Sequence, residues 1–272
     1  MSGRQAYHQF RIPVPAAFEE VFVHFYFAEN KSGETITQTL LPSYQTIMVF
    51  SFGAPASFIS KQHTQVTMDK CLVAGPIRQS LEYSLAPNAA ILVANFKDDA
   101  FYRFFGDASI AAQQPVHPDS LFNENCFTAL WTELNEMDNV QHQVDHILEF
   151  CRPYLRNRSH IAQQLSGFTE SNISVIKETA QKNNLSERAI QINHKKLLGY
   201  SAKELSRYQR FMKAVQLIQT SAVAGSGMDW FEIVVACGYY DQSQLIHDFK
   251  HYLNLSPSKY LQFQQDICNP LP

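Results

Sequence analysis

Period-two alternation dominates the first part of the chain. In the stretch 77–85, Ile77, Leu81, Tyr83 and Leu85 share one face, while Arg78, Ser80, Glu82 and Ser84 take the other. Short apolar runs near 21–28, 46–52, 65–73 and 90–96 are separated by turn residues at Asn30–Gly33, Pro42–Ser43, Gly53–Pro55, Gly75–Pro76 and Pro87–Asn88. Several short strands at this spacing predict a sandwich or barrel over the first 97 or so residues. The period then lengthens. Asp98 or Asp99 can cap a short helix through Phe105, closed by Gly106. Apolar positions 121, 122, 126, 127, 130, 131 and 134 follow helical spacing, as do Val144, Ile147, Leu148, Cys151 and Leu155. These helices either fill the protein's own core or form a dimer seam.

From about residue 171 the helix boundaries are written out locally. Ser186 can cap a helix that runs to Leu198, with Gly199 closing it in the left-handed conformation. Ser201 and Glu204 form a capping box for a helix over 201–220 whose core stripe is Leu205, Tyr208, Phe211, Met212, Val215 and Ile218. The stretch 220–227 reads as a connector. Asp229 with Glu232, and Asp241 with Gln244, open two more helices with Gly238 between them, and Ser256–Pro257 starts the last. A helix-turn-helix unit thus occurs twice, at about 172–198 and 229–253. The joining helix of about 20 residues is roughly 30 Å long. Successive major grooves on one face of B-DNA are about 34 Å apart, so two such units can enter both.

Charge sharpens this picture. Residues 1–159 carry 11 basic and 16 acidic residues, and residues 160–272 carry 11 and 9. Between Ser186 and Lys213 seven basic residues face two acidic ones, a local surplus where a polyanion can dock. The five cysteines, Cys71, Cys126, Cys151, Cys237 and Cys268, include no C-x-x-C pair, which argues for free thiols over a disulfide framework or zinc site. No apolar run approaches the ~20 residues of a membrane span, and the first ten residues lack an apolar signal region. The expectation is a soluble cytoplasmic protein without a membrane partner.

The stretch "GYYDQSQLIHDFKHYLNLSPSKYL" at 238–261 resembles the signature of the AraC/XylS family of bacterial transcription regulators. Gly238, Tyr239, Asp241, Ser243, Leu245, Phe249, Lys250, Ser256, Pro257 and Tyr260 match it, and Asn254 replaces a common glycine. The stretch 186–215 is similar to the first recognition helix and linker helix of that family, so the resemblance covers about 160–265. It implies an α+β protein with a cupin-like N-terminal β-barrel or sandwich followed by helices, and an all-α double helix-turn-helix domain. The expected boundaries are 1–115 for the sensor domain, 116–160 for linking or dimerising helices and 161–268 for the DNA-binding domain.

The resemblance places recognition helices at about 186–198 and 242–253 in successive major grooves of double-stranded DNA. In the first, Arg188, Gln191 and Ile192 reach base edges: Arg188 suits guanine, Gln191 suits adenine, and Ile192 suits a thymine methyl. Lys195 suits a phosphate. The plainer reading of Arg188 and Lys195 is a solvated charged face. His194 stands where the family favours an aromatic, and reads as a core or groove-edge residue. In the second helix Gln242, Ser243, Ile246, His247 and Lys250 face outward, with Ser243 and His247 at base-reading positions. Arg207 and Arg210 on the linker helix are candidates for phosphate contacts, and Arg207 can equally pair with Glu204.

Enzyme chemistry lacks its motifs. The ten histidines are scattered without an H-x-H pair, and His142 with His146 reads as a solvated helix face. No G-x-S-x-G, P-loop or G-x-G-x-x-G occurs. Neither a catalytic residue nor a metal or other cofactor is expected. The resemblance leaves room for a homodimer, for RNA polymerase as partner if the protein activates, and for a small-molecule effector in the N-terminal half. Phe22, Phe25, Phe27, Phe50, Phe52, Tyr83 and Phe96 either line such a pocket or fill an ordinary core. A contrasting function is a protein-interaction adaptor whose C-terminal half no longer binds an operator.

Overall fold

Strands with two apolar faces have to be covered on both sides, and this requirement organises the N-terminal half. The computed structural model describes residues 7–59, 65–109, 115–122, 124–166, 174–224 and 229–268. Among the described residues nine strands are formed: β1 (Tyr7–Ile12), β2 (Phe22–Asn30), β3 (Ile36–Leu40), β4 (Ile47–Gly53), β5 (Ala56–Ile59), β6 (Gln65–Met68), β7 (Cys71–Ala74), β8 (Leu81–Leu85) and β9 (Ala89–Phe96). They pair antiparallel in a five-stranded sheet, β1-β2-β9-β4-β7, and a four-stranded sheet, β3-β8-β5-β6. Among the described residues no ladder joins the two sheets, so the region is a sandwich and not a closed barrel.

One face of the larger sheet, with Ala28, Ile47, Val49, Ile91 and Val93, packs with Phe58, Met68, Tyr83 and Leu85 of the smaller sheet. The other face, with Phe22, Phe25, Met48, Phe50, Leu92 and Phe96, packs with helices. These are α1 (Ala100–Phe105), α3 (Cys126–Asn135) and α4 (Val140–Cys151), and α2 (Asp119–Phe122) precedes α3. Phe127, Leu130, Leu134, Val144, Ile147 and Leu148 fill that layer, so the apolar stripes of α3 and α4 serve the internal core.

The aromatic rings that either line a pocket or fill a core are packed in the two core clusters. Phe22, Phe25, Phe27, Phe50, Phe52 and Phe96 lie on the helix side of the larger sheet, and only Tyr83 of that set lies between the sheets. The Tyr83 hydroxyl meets those of Tyr7 and Tyr26, each at 2.9 Å, which ties the two sheets together.

Further helices follow among the described residues: α5 (His160–Ser166), α6 (Ser174–Lys182), α7 (Glu187–Leu198), α8 (Ala202–Ala224), α9 (Trp230–Cys237), α10 (Gln242–Leu253) and α11 (Pro257–Cys268). Helix α8 has 23 residues and continues beyond the expected end at 220, while residues 225–227 of the expected connector lie outside the described residues. The left-handed residues that end α7, α9 and α10 are Gly199, Gly238 and Asn254, at φ 80°, 72° and 62°. By residue contacts the chain forms two bodies. The sheets pack with α1–α7 in one, and α8–α11 make the other. The division therefore falls inside the expected 161–268 domain, between the first helix-turn-helix and the helix that follows it. In the second body Phe211 meets Phe249 edge-on and Tyr252 at a tilt, with ring centroids at 5.1 and 4.5 Å, and Phe249 meets Tyr260 at 5.7 Å.

Candidate nucleic-acid interface

Helices α7 and α10 each have one buried and one open face. In α7 the Ser186 hydroxyl accepts the Ala189 amide at 3.1 Å, which satisfies an amide left over at the helix start. Ile190, His194 and Leu197 are buried. Arg188, Gln191, Ile192 and Lys195 are exposed, and Ile192 keeps 60% of its surface in solvent. His194 is a core residue: its Nδ1–H donates to the Tyr200 carbonyl at 2.8 Å, and its ring meets the Tyr200 ring edge-on.

The end of α7 is seated on the sandwich, a contact with no signal in the sequence. The Ala108 amide donates to the Lys196 carbonyl at 2.9 Å, and the Arg78 guanidinium donates to the Gly199 carbonyl at 2.5 Å. Tyr44 and Tyr200 pack edge-on at 5.1 Å, and the Lys196 ammonium lies over the Tyr102 ring. A Cβ at Gly199 would stand 2.8 Å from the Ala108 carbonyl oxygen and 2.9 Å from Pro76 Cδ. Gly199→Ala therefore combines left-handed strain with a backbone clash. It is expected to destabilise the first body by about 2 kcal/mol or more, read as a lower melting temperature.

In α10 the Asp241 carboxylate accepts the Gln244 amide at 2.8 Å, and Leu245, Phe249 and Tyr252 are fully buried. Gln242, Ser243, His247 and Lys250 are exposed. Sequence reasoning missed Asp248, which is 1% exposed. Arg207 Nε donates to its Oδ1 at 2.7 Å. Arg210 approaches its Oδ2 at 3.8 Å, with the guanidinium over the Tyr239 ring at 4.7 Å. Both arginines that are candidates for phosphate contacts thus also reach this buried carboxylate. The missed signal was an acidic residue inside an otherwise apolar face of α10.

A second cluster lies in the first body. Cys71 Sγ is 3.3 Å from His117 Nε2, beside Asp119, in a hollow of about 470 Å³. Burial above all, with Asp119 next, pushes the Cys71 thiol up to about 12, so at neutral pH it is protonated and a poor nucleophile. Asp119 is committed to α3: it accepts the amides of Phe127 at 2.7 Å and Thr128 at 3.0 Å, and the Thr128 hydroxyl at 2.6 Å. Burial opposes its ionisation, but these hydrogen bonds and His117 outweigh it and hold the carboxyl below its ordinary range. Its stabilising effect is present above the unfolded value of about 3.9 and lost as pH falls through the lower folded value. Asp119→Ala is expected to cost roughly 1–2 kcal/mol at neutral pH, and the gap to the parent narrows in acid denaturation below about pH 4.

No helix among the described residues is long and apolar enough to cross a membrane. Among curated proteins none matches the chain. Among solved structures, ToxT from Vibrio cholerae aligns over 96% of this chain and 99% of its own at 13% identity, with a TM-score of 0.43. The AraC-like transcriptional activator CuxR aligns over 77% and 86% at 10% identity, with a TM-score of 0.25. HEPD from Streptomyces albus, with 2-hydroxyethylphosphonate and Fe(II) bound, aligns over 70% and 44% at 14% identity, with a TM-score of 0.26. TM-scores below 0.5 carry no weight for function. Residues 179–262 match the family described as a helix-turn-helix domain, and the match spans α7, α8, α9 and α10. The stretch 179–262 is thus similar to helix-turn-helix domains of the AraC type.

Proposed function

We propose that the protein is a sequence-specific transcription regulator that inserts α7 and α10 into successive major grooves of double-stranded DNA. The observation that carries this reading is the pair of open helix faces. Arg188, Gln191, Ile192 and Lys195 on α7, and Gln242, Ser243, His247 and Lys250 on α10, are all exposed while the opposite faces are buried. Bidentate donors and acceptors on such faces suit base edges, and lysines suit phosphates. The arginines held by Asp248 are secondary in this scheme. The protein works in the cytoplasm, is no enzyme, and uses RNA polymerase as a partner if it activates. Since α3 and α4 pack inward, a homodimer would use another surface.

The sandwich is the regulatory half in this reading, coupled to α7 through the seat of Gly199 and Tyr200. A small effector bound there is expected to raise the melting temperature saturably. A broad metabolite panel without any shift would remove the effector from the scheme.

Fragment binding at graded salt tests DNA recognition. A DNA binder loses affinity steeply and linearly in log–log form as salt rises. Binding to no fragment at any salt would favour a protein-interaction adaptor.

A further inference from the structure

The buried Asp248 does more than neutralise arginines, because one of those arginines continues outward to His247. The His247 side chain is 73% exposed on the open face of α10, and its Nδ1 lies 3.1 Å from an Arg207 terminal nitrogen. A guanidinium has only donors, so Nδ1 is the acceptor. The ring in this contact is therefore neutral, with its proton on Nε2, because a protonated imidazole has no acceptor. Arg207 cannot drift from this position freely. Its Nε is bonded to Asp248 Oδ1 at 2.7 Å, and its guanidinium lies over the Tyr252 ring at 5.6 Å. Asp248 Oδ1 itself is 4.0 Å from His247 Nδ1, too far for a hydrogen bond, so Arg207 stands as the link between them.

We propose that Arg207, held by Asp248, is a positioning residue that fixes His247 as a hydrogen-bond donor and thereby sets the base read by the second recognition helix. This rests on the DNA-binding reading above. With Nδ1 engaged, His247 offers only Nε2–H to the groove. It can bond the acceptors of a base edge and cannot accept from the amino groups of adenine or cytosine. Guanine suits it best, because O6 and N7 stand side by side as acceptors. Arg207 thus acts on specificity from behind the recognition helix.

Two readouts on the full chain test the proposal. The first needs no DNA and no altered fold: two-bond 15N–1H correlation of the histidine rings at mildly alkaline pH, with His247 assigned by its loss in His247→Gln. The expected pattern is a protonated Nε2 and a bare Nδ1, with the Nδ1–H form growing in Arg207→Ala; a proton on Nδ1 in the parent, or a pattern unchanged by Arg207→Ala, would overturn the relay. The second is binding to a set of sites that carry each base pair in turn at the His247 position. The parent should prefer guanine. Arg207→Lys keeps the charge but loses the planar fork. It should erase about tenfold of that preference while the bases read by α7 and the salt slope stay as they were. Asp248→Asn should move the preference in the same direction. Preference intact in Arg207→Lys, or a uniform loss in Arg207→Gln with a shallower salt slope, would assign Arg207 to a phosphate and overturn the proposal. A parent protein with no preferred base anywhere would refute the DNA-binding reading, and the base-reading role with it, while the ring pattern would still decide the relay.

Discussion

Arg188→Ala is expected to weaken binding to the preferred DNA site by about tenfold to hundredfold at fixed salt, the larger of the two recognition-helix losses. A bidentate arginine–guanine contact contributes roughly 1–3 kcal/mol of discrimination, and Arg188 is exposed on α7 with no ion-pair partner among the described residues. His247→Ala removes a neutral donor tied back to Arg207, and its expected loss is smaller, about tenfold. Titration of both variants on one labelled fragment decides the order. A greater loss for His247→Ala would transfer the leading role to the second helix.

Phe249→Ala is the substitution expected to cost most in stability, about 3–5 kcal/mol. Phe249 is fully buried where α8, α10 and α11 meet, in ring contact with Phe211 and Tyr260. The second body is small, and small domains have little stability to lose. Amides of α9–α11 should therefore exchange with solvent close to the unfolded rate, while those of the sandwich keep their protection. Equal loss of protection in both bodies would mean that they fold as one cooperative unit.

What could be read from the chain follows from the range of the forces involved. Helix ends are local, so Ser186, Gly199, Asp229, Gly238, Asp241 and Asn254 all sit where capping chemistry places them. The outward set on α7 and α10 follows from helical periodicity alone. The phenylalanines of the sandwich were harder. Alternation along "IMVFS" is invisible because β4 is buried on both faces, and nothing local says which face meets helices and which meets a sheet. Short exposed strands such as β3 carry too little apolar content to be noticed. The remaining surprises are long-range. Asp248 meets an arginine 41 positions away, and Arg78 meets a carbonyl 121 positions away.

Selection of bound fragments from the host genome with the purified full chain, followed by mapping of the protected bases, tests the DNA-binding reading most directly. The expected result is an asymmetric site of about 15–20 base pairs covering two successive major grooves on one face of the duplex. Sequence-blind protection that leaves no preferred site, with or without added metabolites, would contradict it.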